Sequence, residues 1–230
     1  MTASAGAKAP LSSQPWVAYV LPYVLFLVLT EVGGLFEPLG PLLAYPVKLV
    51  ACTAALVWFA RKLGFPELRG GYRWALLPLD VGVGLAVFAV WIAPESIDFL
   101  KIRESSLDPH AASAQWFAPL LAVRLAGAVL LVPVMEELFM RSFLPRFLDM
   151  PQGGDWRGQP IGKFTLYSFL WTVVLFGAVH HRWAVGLAAG VIYNGYLAWR
   201  RSLLPVIVAH AVTNLALGIY VIRTELWTFW

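Results

Sequence analysis

Seven apolar stretches, most of them long enough to cross a bilayer, fix what this chain can fold into. They run over about Trp16–Phe36, Ala44–Ala60, Trp74–Ala93, Trp116–Phe147, Phe164–Val179, Ala184–Trp199 and Leu203–Ile222. One bilayer span takes ~20 apolar residues, so seven take ~140. That matches the 60% of the 230 residues that are hydrophobic. Only 13% are charged, against roughly 25% in a soluble domain, too few to cover a core of this apolarity with polar surface. A soluble enzyme, a disordered chain and a disulfide-stapled secreted module are excluded, and the lone Cys52 can form no intrachain disulfide. The expectation is an all-α polytopic membrane protein, one integral membrane domain over residues 1–230 with about seven transmembrane helices. Eight is the alternative count, and it would move the C-terminus to the other side.

The net charge of +4 does not mark a nucleic-acid binder, because the Lys and Arg residues sit in short breaks between apolar stretches. With seven spans, one side collects Lys8, Arg61, Lys62, Arg69, Arg73, Arg146, Arg157, Lys163, Arg200 and Arg201. The other side holds Lys101, Arg103, Arg182 and Arg223, and Lys48, Arg124 and Arg141 fall within spans. Basic residues favour the cytoplasmic side, which puts the N-terminus there. Residues 1–15 lack the short apolar core and small-residue site of a cleaved signal, so the first span is expected to stay. The fourth stretch exceeds one crossing and can begin as an interfacial helix before Arg124. Gly/Pro-rich connectors follow the second and fourth stretches, residues 94–114 form the longest polar connector, and no internal repeat occurs.

Ionisable groups inside spans are costly, and each is a candidate for function. The densest set is Glu136-Glu137-Leu138-Phe139-Met140-Arg141. On a helix Glu137 and Arg141 share a face as an i,i+4 pair. Glu136 points about 100° away, so the spacing separates a neutralised carboxylate from one left without a cation. The latter can act as a general base. A second set is Phe176-Gly177-Ala178-Val179-His180, where the imidazole offers a base or an oxyanion donor. The third is His210-Ala211-Val212-Thr213-Asn214, whose His and Asn share one helical face and can both donate to one oxyanion. Each set also has a purely structural reading: an ion pair at a span end, a polar cluster, or interhelical hydrogen bonding.

In the order EExxxR, FxxxH, HxxxN on three separate spans, these residues resemble the CPBP family of intramembrane proteases. That family includes the type 2 CAAX prenyl endopeptidases and bacteriocin-processing, Abi-like relatives. The resemblance covers residues 116–222, the protease-like core. The first two spans and Trp91-Ile92-Ala93-Pro94-Glu95 also look like the subgroup found beside bacterial exosortase systems. The resemblance implies an endopeptidase, in a bacterial inner membrane, acting on a membrane-associated protein or peptide, lipid-modified or not. Glu136 would activate water with help from His180, His210 and Asn214 would hold the oxyanion, and Glu137, Arg141 and Phe176 would support them. Membrane lipids and a protein substrate are the implied partners; nucleic acid is not one. No cofactor is expected. Glu136, His180 and His210 could serve as a zinc His₂Glu set, although no HExxH pattern is present.

Depth raises a difficulty. His180 lies sixteen residues into the fifth stretch, or ~24 Å, and His210 only seven residues into its own, or ~10 Å. The two meet only if the fifth helix tilts or starts above the membrane, or if a deep cavity joins them. A different class of function, a non-catalytic membrane scaffold or a small proton-coupled transporter, would use the same buried polar residues, although the repeats common in transporters are not visible.

Overall fold

The computed structural model describes residues 14–36, 40–96 and 114–229. The signal-peptide reading of residues 1–13, Lys8, the polar connector 97–113 with Lys101 and Arg103, and Trp230 lie outside the described residues. Within them the chain forms seven long helices: α1 (Val17–Gly34), α2 (Gly40–Lys62), α3 (Leu77–Ile92), α4 (Gln115–Leu148), α5 (Leu166–Ala178), α6 (Trp183–Arg200) and α7 (Leu203–Thr224). No strand occurs among the described residues. Helices close their backbone hydrogen bonds internally, which an apolar solvent demands. Five of them, α1, α2, α3, α4 and α7, are long and apolar enough to cross a membrane. The protein is an integral membrane protein.

Two of the seven expected spans differ in kind. Helix α5 has 13 residues, ~20 Å against a hydrocarbon core of ~30 Å. Helix α6 turns Asn194, Tyr193 and Tyr196 into the bundle and packs along α5. The pair forms a hairpin whose buried polar residues face the bundle, while Leu170, Trp171, Val174 and Val191 stay exposed on its outer face. The start of α5 is tied to the end of α4: Thr165 caps it by accepting from the Ser168 N–H (3.2 Å). The Asp149 carboxylate accepts from Thr165 Oγ1 (2.6 Å) and Ser168 Oγ (2.9 Å), an anion placed where the helix dipole favours it.

Contacts across the connectors define two ends of the bundle. At one end Glu67 accepts from Tyr19 (3.1 Å), Arg146 (3.0 Å) and Ser142. There too Asp80, at the start of α3, joins Tyr72, Tyr196 and Arg200. Burial and the Asp80 carboxylate push the Tyr72 hydroxyl well above the usual phenol range, so it stays a donor. At the opposite end Trp91 meets the His180 ring (5.3 Å), Phe117 meets Trp227 (6.5 Å) and Arg182 donates to Thr228 (3.3 Å).

Without a hydrophobic force between helices in lipid, close backbone approach does the packing. A Cβ at Gly84 of α3 would sit 2.4 Å from the Ala209 carbonyl oxygen of α7. Thr213 donates to the Gly84 carbonyl across the same contact (2.7 Å). In the α5–α6 hairpin a Cβ on Gly186 would sit 3.0 Å from the Gly177 Cα. These crossings set the height of His210 and His180.

Candidate active site

The carboxylates are carried by an interrupted helix. Within α4, residues Val132–Glu137 are α-helical, but π-helical turns flank them at Gly127–Leu131 and Leu138–Phe143. Each wide turn leads into a proline, Pro133 and Pro145. In the first turn the Val132 N–H reaches back five residues to the Gly127 carbonyl. The next bond in that register would run from residue 133 to Ala128, and proline has no N–H to supply it. Asn214 supplies it instead: its Nδ2 donates to the Ala128 oxygen at 2.8 Å.

Both carboxylates are buried. Glu137 is fully buried and pairs with Arg141, the closest N···O distance being 3.3 Å. Glu137 Oε1 also accepts from His210 Nδ1 at 2.7 Å. A carboxylate acceptor puts the proton on Nδ1 and aims Nε2 away, toward Glu136 Oε2 at 4.0 Å. No donor among the described residues reaches that oxygen. Arg141, almost fully buried, donates Nε–H to Asn194 Oδ1 (3.1 Å) and lies over the Phe176 ring at 4.0 Å. Phe176 is thus the floor beneath the guanidinium, and it touches the His180 ring as well (4.4 Å).

His180 follows the end of α5, in the turn to α6. Its Nδ1 lies 2.5 Å from the Phe176 carbonyl oxygen. A carbonyl only accepts, so Nδ1 carries a proton toward it and Nε2 is turned away from that carbonyl. A pocket of about 170 Å³ joins Glu136, Phe176, His180, His210 and Asn214, room for several waters. Helix α7 lines it from His210 to Leu217, seven residues or ~10 Å of helix axis. That depth spans most of the offset between the two histidines. Among the described residues no three His, Cys, Asp or Glu side chains converge to hold a metal ion, so the donors do not form the zinc shell considered from sequence.

Several site residues escape the motif reading. Tyr193 stacks on His210 (5.2 Å) and donates to Thr213 (2.7 Å), fixing the imidazole plane. Asn194 donates Nδ2–H to Thr172 Oγ1 (3.0 Å), while its Oδ1 holds Arg141. Trp91 and Phe229 line the pocket from α3 and from the segment after α7. Asn194 carried a usable signal, being an amide inside an apolar stretch; Trp91 stood out only as part of the segment Trp91–Glu95, and Tyr193 and Phe229 carried none.

Residues 115–216 match the family model described as type II CAAX prenyl endopeptidase Rce1-like. This segment is similar to that family. It covers a little under half of the chain and contains all three motifs, from Glu136 to Asn214. The matched model describes a protease family. No curated protein and no solved structure matches the chain significantly.

Proposed function

We propose that this protein is an intramembrane endopeptidase that hydrolyses a peptide bond of a membrane-associated protein, lipid-modified or not, with water activated by Glu136. The observation that carries this reading is the Glu136 carboxylate, whose Oε2 no donor among the described residues reaches, lining a pocket shared with two oriented imidazoles. It sits within an Rce1-like segment.

The attacking water lies between Glu136 and His180. One O–H of the water donates a hydrogen bond to His180 Nε2 and stays on the oxygen, while Glu136 takes the other proton as the water oxygen bonds to the scissile carbonyl carbon. The carbonyl oxygen becomes an oxyanion. His210, protonated at both nitrogens, donates Nδ1–H to Glu137 and Nε2–H to that oxyanion. Two carboxylates then balance Arg141 and the imidazolium, which suits an apolar site. Asn214 spends one amide hydrogen on Ala128 and offers the second to the same oxyanion. As the C–N bond breaks, Glu136 returns its proton to the leaving nitrogen. No step passes through a metal.

The N-terminus lies in the cytoplasm of a bacterial inner membrane in this reading, supported by the distribution of basic residues. The test is mass spectrometry of protein termini in membranes carrying the wild-type protein or Glu136→Gln. New termini that appear with the wild type and vanish with the variant support the reading. Identical termini in both overturn it.

A further inference from the structure

We propose that the pocket opens to the membrane face opposite the basic connectors, the extracytoplasmic face, and that its substrate is an apolar, membrane-proximal segment of an exported or membrane-anchored protein presented there. The chemistry inside the pocket rests on the endopeptidase reading above; the side rests on placement alone.

Burial gives the direction of the opening. Glu136, Phe176, Tyr193 and His210 are buried at the pocket's base, whereas Trp91, Val132, Asn214 and Phe229 are partly exposed. The exposed set lies toward one end. Trp91 is next to the last residue of α3, Phe229 follows the end of α7, and Val132 stands at the midpoint of α4, N-terminal to Glu136. The C-terminal ends of α3 and α7 and the N-terminal end of α4 meet there, as the Phe117–Trp227 and Phe88–Tyr220 ring contacts show.

The other direction is sealed. Below Glu136 come the buried Glu137–Arg141–Asn194 network and then Ser142, Arg146 and Glu67. Trp156 closes over the Arg146 guanidinium at 4.7 Å. A chain end arriving from the connector side would have to break these ion pairs to reach the base of the pocket.

Charge assigns the sides. Nine of the described Lys and Arg residues sit in or beside the connectors at the sealed end, against two, Arg182 and Arg223, at the open end. An excess of that kind marks the cytoplasmic face. Apart from the Asn214 amide, the partly exposed rim is aromatic and aliphatic, with His180 its only ionisable group among the described residues. It fits an apolar extended segment better than a charged one.

Cysteine labelling in intact spheroplasts tests the proposal with a membrane-impermeant maleimide. The one native thiol, Cys52, is buried, so the wild-type protein is the unlabelled control. Variants are Val132→Cys and Trp91→Cys in the pocket, Arg223→Cys at the open end and Lys163→Cys in a basic connector. The expected result is labelling of Arg223→Cys and of a pocket cysteine in intact spheroplasts, with Lys163→Cys labelled only after permeabilisation. Lys163→Cys reacting in intact spheroplasts overturns the assignment of sides. Arg223→Cys reacting while neither pocket cysteine does overturns the opening. Labelling needs no turnover, so a correct labelling pattern without any cleavage would sink the endopeptidase reading and leave the sidedness standing.

Discussion

Asn214 of α7 donates to the Ala128 carbonyl of α4 at 2.8 Å, filling the place that Pro133 leaves without an N–H. One amide hydrogen therefore joins two helices and the other faces the pocket, so a single side chain carries a structural role and, in the proposed chemistry, a catalytic one.

The two roles separate in a double variant. Asn214→Ala is expected to lower kcat by ~10²–10³, the usual effect of losing one oxyanion donor. It should also lower the melting temperature, because an interhelical bond in a membrane protein contributes ~0.6 kcal/mol on average. Adding Pro133→Ala restores an N–H beside Ala128. The double variant should regain the melting temperature and not kcat. Recovery of both would make Asn214 structural only.

Glu137 orients His210 and neutralises Arg141. Glu137→Ala strands a buried guanidinium, a loss of about 3–5 kcal/mol for a broken buried pair. Glu137→Ala combined with Arg141→Met removes both charges and is expected to recover most of that stability. Turnover should stay low, since nothing then holds His210 Nδ1. Unfolding in detergent and cleavage rates check the two halves, and a double variant with wild-type turnover contradicts the orienting role.

The α3–α7 crossing sets the position of His210. Gly84→Ala puts a methyl 2.4 Å from the Ala209 oxygen, one residue before His210. It should destabilise by about 1–3 kcal/mol, as overpacking does, and lower kcat as well. Gly82→Ala, with nothing within 4 Å of its Cβ, should leave both unchanged or gain up to ~1 kcal/mol from helix propensity. Equal effects at the two glycines contradict this packing account.

Chelation separates the glutamate mechanism from a metalloprotease. Cleavage is expected to survive a strong chelator, and elemental analysis of purified protein is expected to find no stoichiometric zinc. About one zinc per chain, lost together with activity in His180→Ala or His210→Ala, would reverse the assignment.

Much of this was legible in the sequence because membrane solvent leaves few options. Apolar runs of span length read directly as helices, and Glu137 and Arg141 pair at the four-residue spacing that the motif predicts. What the spacing could not show depends on contacts between distant segments. The Glu137–His210 bond links residues 73 apart, and Asn194 reaches Arg141 from a helix with no motif of its own. The π-helical turns are local, yet they need a partner for the carbonyl that proline deprives, and Asn214 lies 86 residues further on. Helix α5 takes 13 residues of its 16-residue apolar run, Phe164–Val179, since Thr165 caps its start and the chain turns at His180. An apolar run shows where a helix can continue and does not mark where packing ends it.

The central claim is that Glu136 takes the proton of the attacking water. Single-turnover cleavage by purified Glu136→Gln, beside a melting curve showing that the variant is folded, tests it most directly. The amide keeps size and hydrogen bonding but cannot accept that proton, and a general base contributes ~10²–10⁴-fold. The account predicts a loss within or beyond that range at unchanged melting temperature. A folded Glu136→Gln variant that retains more than about a tenth of the wild-type rate, well outside the span expected for a general base, would contradict it.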